Sequence, residues 1–257
     1  MGSHKKNATR FDNNRFFLKD TIRQQIDFHQ TEQNRFVTAP PLQKPCPAEA
    51  SRTVLPDGKT ALEQLGRINI ADAITRRESV RSFSDAALSL EELSALLWAT
   101  QGVREKLSPE CALRTVPSAG ARHACETYIA AGRVDGLQPG LYRYLPFDNE
   151  LALLSADDTI SRKAAAACLG QGFVAKAAAT FFWTAVPVRM EWRYDLAAHK
   201  VIAIEAGHIC QNLYLTCTAI NAGTCAIAAY DQTACDELLG VDGDEEFTLY
   251  IATVGKR

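Results

Sequence analysis

The run from Thr75 to Phe83 carries the residue types with the clearest chemical use in this chain. It places Arg77, Ser79 and Arg81 within five positions, at the end of a short helix predicted over Ile68–Arg77. Guanidinium groups present fork-shaped donors that fit phosphate oxygens, and a hydroxyl adds one more donor. The cluster therefore predicts a compact anion site, although an arginine-rich helix end is also typical of a solvated surface.

Two later stretches of small residues could bring backbone groups close to a flat ligand. In Thr115–Ala121, small side chains permit close approach and Ser118 could bond the ligand's edge. The alternative is an ordinary turn at a helix start, with Ser118 as the N-cap. Gly223–Tyr230 has the same small-residue character, and its alternative is a tightly packed buried strand.

Other candidate sites have weaker support. Gly170–Ala175 matches a dinucleotide fingerprint, but it follows an alanine-rich helical stretch where that motif requires a strand. His199, His208 and Cys210 lack the spacing of zinc ligands on one helical face, so we predict no metal site. His208 is predicted to be a core histidine, and the acidic residues at 242 and 244–246 a solvated turn.

His123 has two open interpretations. It follows the Pro117–Gly120 loop and could line a pocket, or it could lie at a helix N-terminus.

Composition limits the function classes. The 257 residues are 47% apolar, enough for one large core or two modest ones, and the net charge of −2 has no long block of one sign. We therefore expect no nucleic-acid groove and no membrane partner, since runs such as Ala177–Val188 are too short to span a bilayer. The polar N-terminus predicts no secretion signal, and eight dispersed cysteines indicate reduced thiols in a cytoplasmic protein.

The chain divides unevenly. Residues 1–60 are predicted to be a polar, proline-rich N-terminal arm, with one amphipathic helix over Phe16–Gln30 and no regular structure over 31–58. This arm either flaps or wraps a partner subunit. Residues 61–257 are predicted to form the compact domain.

Helices and strands mix in that domain without a regular βαβ repeat, which predicts an α+β fold with a largely antiparallel sheet. Residues 102–112 are predicted to be a loop, and a helix begins at Ser89 with Glu92 completing a capping box. The helix over Ala197–Asn221 is apolar on most faces, so it is either the centre of the domain or part of a subunit interface. The other predicted elements are strands at Thr127–Gly132, Leu141–Pro146, Leu151–Leu154, Ala179–Val186 and Glu246–Val254, and helices at Asp157–Leu169 and Asp231–Leu239.

Taken together and in order, these segments resemble the FMN-dependent nitroreductase superfamily, and within it the SagB-type dehydrogenase branch. The resemblance covers roughly residues 65–255, and the joint order of the motifs is more specific than any one of them. The motifs are Arg77–Phe83, Leu96–Gly102, Pro117–His123, Gly140–Tyr144, Glu191–Tyr194, Glu205–Leu213 and Gly223–Ile227 before Asp231.

The resemblance implies an α+β sandwich whose mostly antiparallel central sheet is flanked by helices. It also implies a homodimer formed through the long central helix, with FMN at the subunit interface. Arg77, Glu78, Ser79 and Arg81 would hold the phosphate and ribityl oxygens, with Glu78 standing where many members have a basic residue. The flavin edge would be lined from the other subunit by Pro117, Ser118, Ala119 and Gly120. Flavin N5 and O4 would be approached by Ile227, Ala228 and Ala229. The predicted cofactor-binding set also includes Gln211, Lys256 and Arg257.

The implied reaction passes hydride through flavin N5. With no second nucleotide domain visible, NAD(P)H would enter the same pocket as a small electron-poor acceptor of nitro or quinone type, which predicts ping-pong kinetics. The alternatives are a SagB-type dehydrogenase that oxidises a peptide or small molecule with oxygen as acceptor, and a flavin-binding protein without turnover.

Arg193 and Tyr194 are the predicted catalytic residues. Azoline-oxidising members of the branch resemble Trp-Lys-Tyr where this chain has Trp192-Arg193-Tyr194. Arginine stays protonated and cannot act as a base, so the substitution counts against heterocycle oxidation, while Tyr194 could still serve as acid or base. The alternative for Arg193 is a structural ion pair with Glu191 or Asp195.

Overall fold

A seven-stranded antiparallel sheet forms the centre of the molecule. The structure is a computed structural model, and it describes residues 10–108 and 110–257. Strand order in the sheet is β1-β6-β5-β4-β7-β9-β8, with all registered strand pairs antiparallel, and β2 and β3 form a separate hairpin. The strands are β1 Arg52–Val54, β2 Val103–Ser108, β3 Cys111–Arg114, β4 Cys125–Ala131, β5 Gly140–Leu145, β6 Glu150–Ala156, β7 Ala179–Ala185, β8 Ala222–Ile227 and β9 Phe247–Lys256.

Helices cover both faces of this sheet, so the predicted α+β sandwich is confirmed. They are α1 Asp12–Leu18, α2 Gly58–Leu65, α3 Ile70–Arg76, α4 Leu90–Gln101, α5 Ile160–Ala167, α6 Gly172–Lys176, α7 Val188–Tyr194, α8 Ala198–Ala219 and α9 Gln232–Leu239.

Alternation along the central strand β7 divides the core into two layers. Phe181 and Trp183 pack with α4 and α8, whereas Phe182 packs with α5 and α9. Successive side chains of a strand point to opposite faces, so a continuous apolar strand needs helices on both sides. The 22-residue α8 is the longest helix in the described chain and lies close to the predicted Ala197–Asn221.

Several local predictions are confirmed. Helix α4 begins with the expected capping box, in which Ser89 and Glu92 each accept the other's backbone N–H. Strands β4 to β7 and β9 lie close to their predicted positions, as do helices α3, α5 and α9.

The single helix predicted over Phe16–Gln30 is wrong. Helix α1 ends at Leu18, and two short 3-10 helices follow at Asp20–Gln25 and Phe28–Gln30. Lys19 adopts extended backbone between them, and no residue of α1 is buried. Since most helical stability in proteins comes from packing of an apolar face, nothing here holds a longer helix together.

Residues 31–58 and 102–112 contain regular structure that the sequence did not predict. Strand β1 pairs with the edge strand β6, and β2 and β3 form a hairpin where a loop was expected. The charged residues of β2 are mostly exposed, so this hairpin lacks the apolar alternation that marks a half-buried strand.

The arm between residues 33 and 45 packs against its own chain. Leu42 is buried, and backbone carbonyls of the arm accept hydrogen bonds from three arginines and a tryptophan of the domain. Among the residues that the structure describes, no helix is both long and apolar enough to cross a membrane.

Candidate functional site

The segment that follows α3 lies along the edge of the sheet formed by β8 and β9. The Val80 N–H donates to the Thr224 carbonyl at 2.9 Å, and the Ser84 N–H donates to the Lys256 carbonyl at 2.9 Å. A Cβ atom at Gly223 would lie 2.7 Å from the Val80 side chain. Glycine is therefore required at that position for the arginine-bearing segment to approach the strand closely.

Ser79 is held by the side chain of Tyr214 on α8. The two hydroxyl oxygens are 2.9 Å apart, and Tyr214 also accepts the Ala226 N–H at 2.9 Å. Whichever hydroxyl donates in that pair, one O–H proton remains available for a ligand.

Arg77 lies beside this hydroxyl pair, and Arg81 lies on the same segment, next to Phe173. Their guanidinium carbons lie 5.3 Å from the ring centroid of Tyr214 and 5.9 Å from that of Phe173, respectively. Neither arginine forms an ion pair with any residue that the structure describes. Two guanidiniums without acidic partners and an available hydroxyl proton on one short segment can bind an anion such as a phosphate.

The other basic residues predicted at this site already have carboxylate partners. Arg257 donates to Glu78 at 2.7 Å, and Lys256 is bonded to Glu92, which also caps α4. Their charges are partly neutralised, so Arg77 and Arg81 are the stronger candidates for phosphate binding.

The loop over residues 117–120 lies against Arg193 and Tyr194. Gly120 has φ +58°, and a Cβ there would lie 2.7 Å from Arg193 and 2.8 Å from the Tyr194 hydroxyl oxygen. Arg193 Nε donates to that hydroxyl at 3.2 Å. The structure thus brings the two predicted catalytic residues and this loop together within one chain.

The predicted alternative for Arg193, an ion pair with Glu191 or Asp195, is wrong. Glu191 instead contacts His199 Nε2 at 2.8 Å, and Arg193 has no acidic partner in the described chain.

Ser118 connects the same loop to a buried carboxyl group on α8. Its Oγ lies 2.5 Å from Glu205 Oε2 and accepts the His123 N–H at 2.9 Å. Ser118 occupies the N-cap position of the 3-10 helix Ala119–Ala121, as its alternative interpretation expects, but its side chain makes no capping hydrogen bond to that helix. Ser118 and Glu205 both line a cavity of about 290 Å³ with Pro117, Ala119, Val201, Ile204 and His208.

Burial shifts the ionisation of two groups here in ways that matter for chemistry. It raises the pKa of Glu205, although the Ser118 hydrogen bond, Arg114, the Cys125 backbone and Arg189 act in the opposite direction. Burial and then Arg114 lower the pKa of His123 to about 3, so this imidazole is neutral at physiological pH. His123 is 1% exposed, with Nε2 bonded to the Ala112 carbonyl.

Two residues, His208 and Glu246, differ from their sequence interpretation. His208 is exposed on α8 and is no core histidine, because the apolar residues around it in sequence lie on the other side of the helix. Glu246 is buried and accepts hydrogen bonds from Tyr128 and Thr184, whereas Asp242 caps the acidic turn as expected. Gln171, inside the rejected dinucleotide fingerprint, donates to the Ala229 carbonyl.

The remaining predicted cofactor residues lie at the end of β8 and on α8. Ile227 ends β8 and is buried, Ala228 and Ala229 follow it and are exposed, and Gln211 is exposed on α8. The sequence predicted no role for Tyr214, yet it lies directly after the Glu205–Leu213 motif. The described chain contains no group of three or more His, Cys, Asp or Glu side chains that could hold a metal ion.

The candidate residues fall into two groups on opposite edges of α8. Glu205 contacts the 117–120 loop, and Tyr214 contacts Ser79 and Arg77. Glu205 and Tyr214 are nine positions apart on this helix. This spacing places them about 180° apart around the helix axis and roughly 13 Å apart along it. Between these edges runs an exposed stripe of Ala203, Ile204, Gly207, His208 and Gln211, hereafter the α8 stripe.

Comparison of the sequence with known proteins gives two matches. Residues 74–256 match the nitroreductase family. A candidate nitroreductase of Methanocaldococcus jannaschii is 31% identical over 196 residues, which cover 76% of this chain and 95% of that protein.

Solved structures share the fold. A candidate nitroreductase of Ralstonia eutropha superposes with a TM-score of 0.64 at 25% identity, covering 85% of this chain and 98% of the other. One from Anabaena variabilis gives 0.62 at 23% identity, covering 83% of this chain, which spans only 45% of that protein. The E. coli microcin synthetase McbBCD complex, solved with truncated pro-MccB17 bound, gives 0.59 at 19% identity with 74% of each chain covered.

Proposed function

This chain belongs to the nitroreductase family and is an oxidoreductase, and from that premise we propose that it binds FMN between two copies of itself. Its reaction is reduction of a small electron-poor acceptor, of nitro or quinone type, with NAD(P)H as donor. The single observation that carries the cofactor assignment is the segment with two arginines that lack acidic partners, Arg77 and Arg81, on either side of Ser79 in sequence, whose hydroxyl contacts Tyr214.

The residues present fit the phosphate end of FMN. A phosphate carries up to two negative charges and accepts several hydrogen bonds, and the cluster offers two guanidiniums and one free hydroxyl proton. The flat face of the Arg77 guanidinium lies over the Tyr214 ring, so its N–H groups can still donate to an anion. FMN supplies hydride transfer when bound; the protein supplies position and charge.

The two edges of α8 support a site shared by two subunits. A two-fold axis that lies in the plane of the α8 stripe, midway between Glu205 and Tyr214 and perpendicular to the line that joins them, exchanges the positions of these two residues between the copies. It therefore brings the Ser118–Glu205 edge of one copy beside the Arg77–Tyr214 edge of the other.

Residues around the 117–120 loop would then face the reacting end of the ligand. Ser118 carries a hydroxyl, and Arg193 keeps a fixed positive charge that favours an electron-rich, reduced ligand. The α8 stripe would lie under the second subunit, which excludes water from the shared cleft. Since no second nucleotide site is present in the described chain, donor and acceptor would alternate in one cleft.

The first test is the visible spectrum of freshly purified protein together with two substitutions. Arg77→Ala and Arg81→Ala should each lower FMN affinity roughly ten- to hundredfold, because a hydrogen bond from a charged group contributes about 1.5–3 kcal/mol. Arg76→Ala is the matched control, since Arg76 pairs only with Asp72 on the surface of α3. Full flavin occupancy in both Arg77 and Arg81 variants would reject the phosphate assignment.

One observation favours a second candidate, a dehydrogenase that oxidises a peptide or small molecule. Tyr194 places a phenol against the 117–120 loop, where it could take a proton from a substrate. Anaerobic rapid mixing separates the two functions. Bleaching of the flavin by NADH or NADPH supports the reductase, whereas bleaching only by an azoline peptide supports the dehydrogenase. Bleaching by neither would leave a flavin-binding protein without turnover.

A further inference from the structure

Ser118 and Glu205 form a hydroxyl–carboxyl pair in which Ser118 is half-buried and Glu205 is buried. Their oxygens are 2.5 Å apart, Glu205 is only 1% exposed, and both residues line the cavity of about 290 Å³ beside the α8 stripe. Glu205 Oε1 has no hydrogen-bond partner among the residues that the structure describes. A buried carboxyl oxygen without a partner is costly and points to an unfilled role.

The protonation state of Glu205 decides whether the Ser118 hydroxyl can donate to a ligand. A serine hydroxyl has one proton and two lone pairs, and one lone pair of Ser118 already accepts the His123 N–H. When Glu205 is ionised, Ser118 must donate its only proton to the carboxylate, and it has none left for a ligand. When Glu205 is protonated, the carboxyl O–H donates to the second lone pair, and the Ser118 proton is free to point into the cavity.

We propose that the Ser118–Glu205 pair delivers the proton that accompanies hydride to the acceptor substrate. This proposal rests on the proposed reductase function and names the acid of its second half-reaction. For a quinone-type acceptor, addition of hydride leaves an oxyanion that needs one proton. The Ser118 O–H bond breaks as a new O–H bond forms on the acceptor, and Glu205 passes its own proton to Ser118 Oγ. Glu205 remains as the carboxylate and regains a proton from water once the product leaves.

The charged groups around Glu205 are compatible with this role. Burial raises its pKa, whereas Arg114 on β3 and Arg189 on α7 oppose that shift. Arg189 is bonded to Glu126, which reduces the positive charge that Glu205 senses. The carboxyl therefore holds its proton to a higher pH than an exposed glutamate does.

Other groups that could carry a proton also lie near this cavity. His123 is neutral because its pKa is lowered to about 3, and Arg193 keeps its proton. His208 lines the same cavity but is exposed, and Tyr194 contacts the loop at Gly120. These two are the competing donors that the test must separate.

The test compares Glu205→Gln, Ser118→Ala and the control Glu237→Gln in the yellow holoprotein. Glu237 lies exposed on α9 and contributes no group to this cavity. Glutamine at 205 can still donate a hydrogen bond to Ser118 but has no acidic proton to give. We expect reoxidation of the reduced protein by a quinone to slow about 100-fold, the usual range for loss of a general acid. Bleaching by NADPH and flavin content should stay unchanged in Glu205→Gln.

The pH profile and an infrared measurement identify the group itself. Wild-type reoxidation should slow as pH rises through the pKa of Glu205, and this dependence should be absent in Glu205→Gln. The infrared band of a protonated carboxyl should disappear over the same pH range in wild type and be missing from the variant.

Two results would overturn this proposal and leave the proposed function standing. One is a Glu205→Gln protein that keeps its flavin and is reoxidised at the wild-type rate. The other is a pH dependence of reoxidation that is lost in His208→Gln or Tyr194→Phe and kept in Glu205→Gln. Protein that takes up no FMN would instead overturn the proposed function, and this proposal with it.

Discussion

Gly120 combines an unusual backbone conformation with close contact to the predicted catalytic residues Arg193 and Tyr194. Gly120, Ala121 and His123 all have positive φ, at 58°, 54° and 48°. A left-handed conformation costs about 1–2 kcal/mol for a residue with a Cβ, so the loop carries strain at two non-glycine positions. Buried His123 and the Ser118 hydrogen bonds hold this conformation in place, which orients Ser118 toward Glu205.

Substituting Gly120 separates backbone strain from site geometry. Gly120→Ala should lose about 1–2 kcal/mol of unfolding free energy from its φ of +58°. It should also lose most turnover, because the new Cβ would displace Arg193 and Tyr194. Urea unfolding and quinone reduction by NADPH measure the two effects.

Gly136→Ala is the matched control. Gly136 has φ +80°, but an added Cβ would meet nothing within 4 Å. It should therefore lose similar stability while keeping full activity. Equal turnover in both variants would contradict the role of the Gly120 contact.

At the scale of elements, the N-terminal arm and α7 depend on each other. Trp192 on α7 donates its indole N–H to the Val37 carbonyl at 2.9 Å, and the Gln33 N–H donates to the Trp192 carbonyl at 2.9 Å. Arg122 joins the arm to the same helix, since it donates to the Pro40 carbonyl at 2.7 Å and to the Arg189 carbonyl at 3.1 Å. The arm therefore braces the helix that carries Arg193 and Tyr194.

Replacing Arg122 tests this bracing. Arg122 also donates to the Glu110 carbonyl and stacks on Trp192, and lysine cannot reproduce that fork of donors. Arg122→Lys should lower the unfolding free energy by about 2–4 kcal/mol, since buried carbonyls lose their donors. Protease cleavage within residues 33–45 should also become faster.

The control for Arg122 is Arg133, an arginine that also donates to backbone carbonyls, in its case to two of them. Arg133 bonds Ser84 and Lys176, but it is partly exposed, so water can replace it. Arg133→Lys should cost less than about 1 kcal/mol. A similar loss in both variants, with an arm that stays resistant to protease, would count against the bracing role.

Some of these elements could be predicted from the sequence and others could not. The capping box of α4, the apolar strand β7 and the long helix α8 follow from local patterns, because each encodes its own caps or packing faces. The hairpin of β2 and β3 has no such pattern, since its charged residues face solvent. The arm's carbonyl partners are arginines about 70 to 100 positions away, which no local pattern encodes.

The candidate site divides in the same way. The types and spacing of Arg77, Ser79 and Arg81 predict an anion cluster, and this remains a prediction. The sequence did not reveal Tyr214 as its support, nor the Ser118–Glu205 pair, because both depend on which face of α8 each residue occupies. Likewise, His208 has apolar neighbours in sequence but an exposed position in space.

At the scale of the whole molecule, the α8 stripe decides whether the site is complete. One chain holds the Arg77–Tyr214 edge and the 117–120 loop on opposite sides of α8, so the proposed site is complete only when a second copy covers the stripe. Light scattering should then give a mass twice the 28.2 kDa of one chain. On serial dilution, flavin release and the fall in mass should occur at the same protein concentration.

Charge on the stripe should dissociate the dimer and the cofactor together. Ile204 is 47% exposed at its centre, and Ile204→Lys would place two positive charges close to one two-fold axis. We expect a folded, colourless monomer. Val54→Lys is the control, because Val54 is 70% exposed on β1 at the far edge of the sheet and should leave mass and colour unchanged. A monomeric wild-type protein that stays fully yellow would refute the shared site, because one copy would then bind FMN without the opposite edge of its partner.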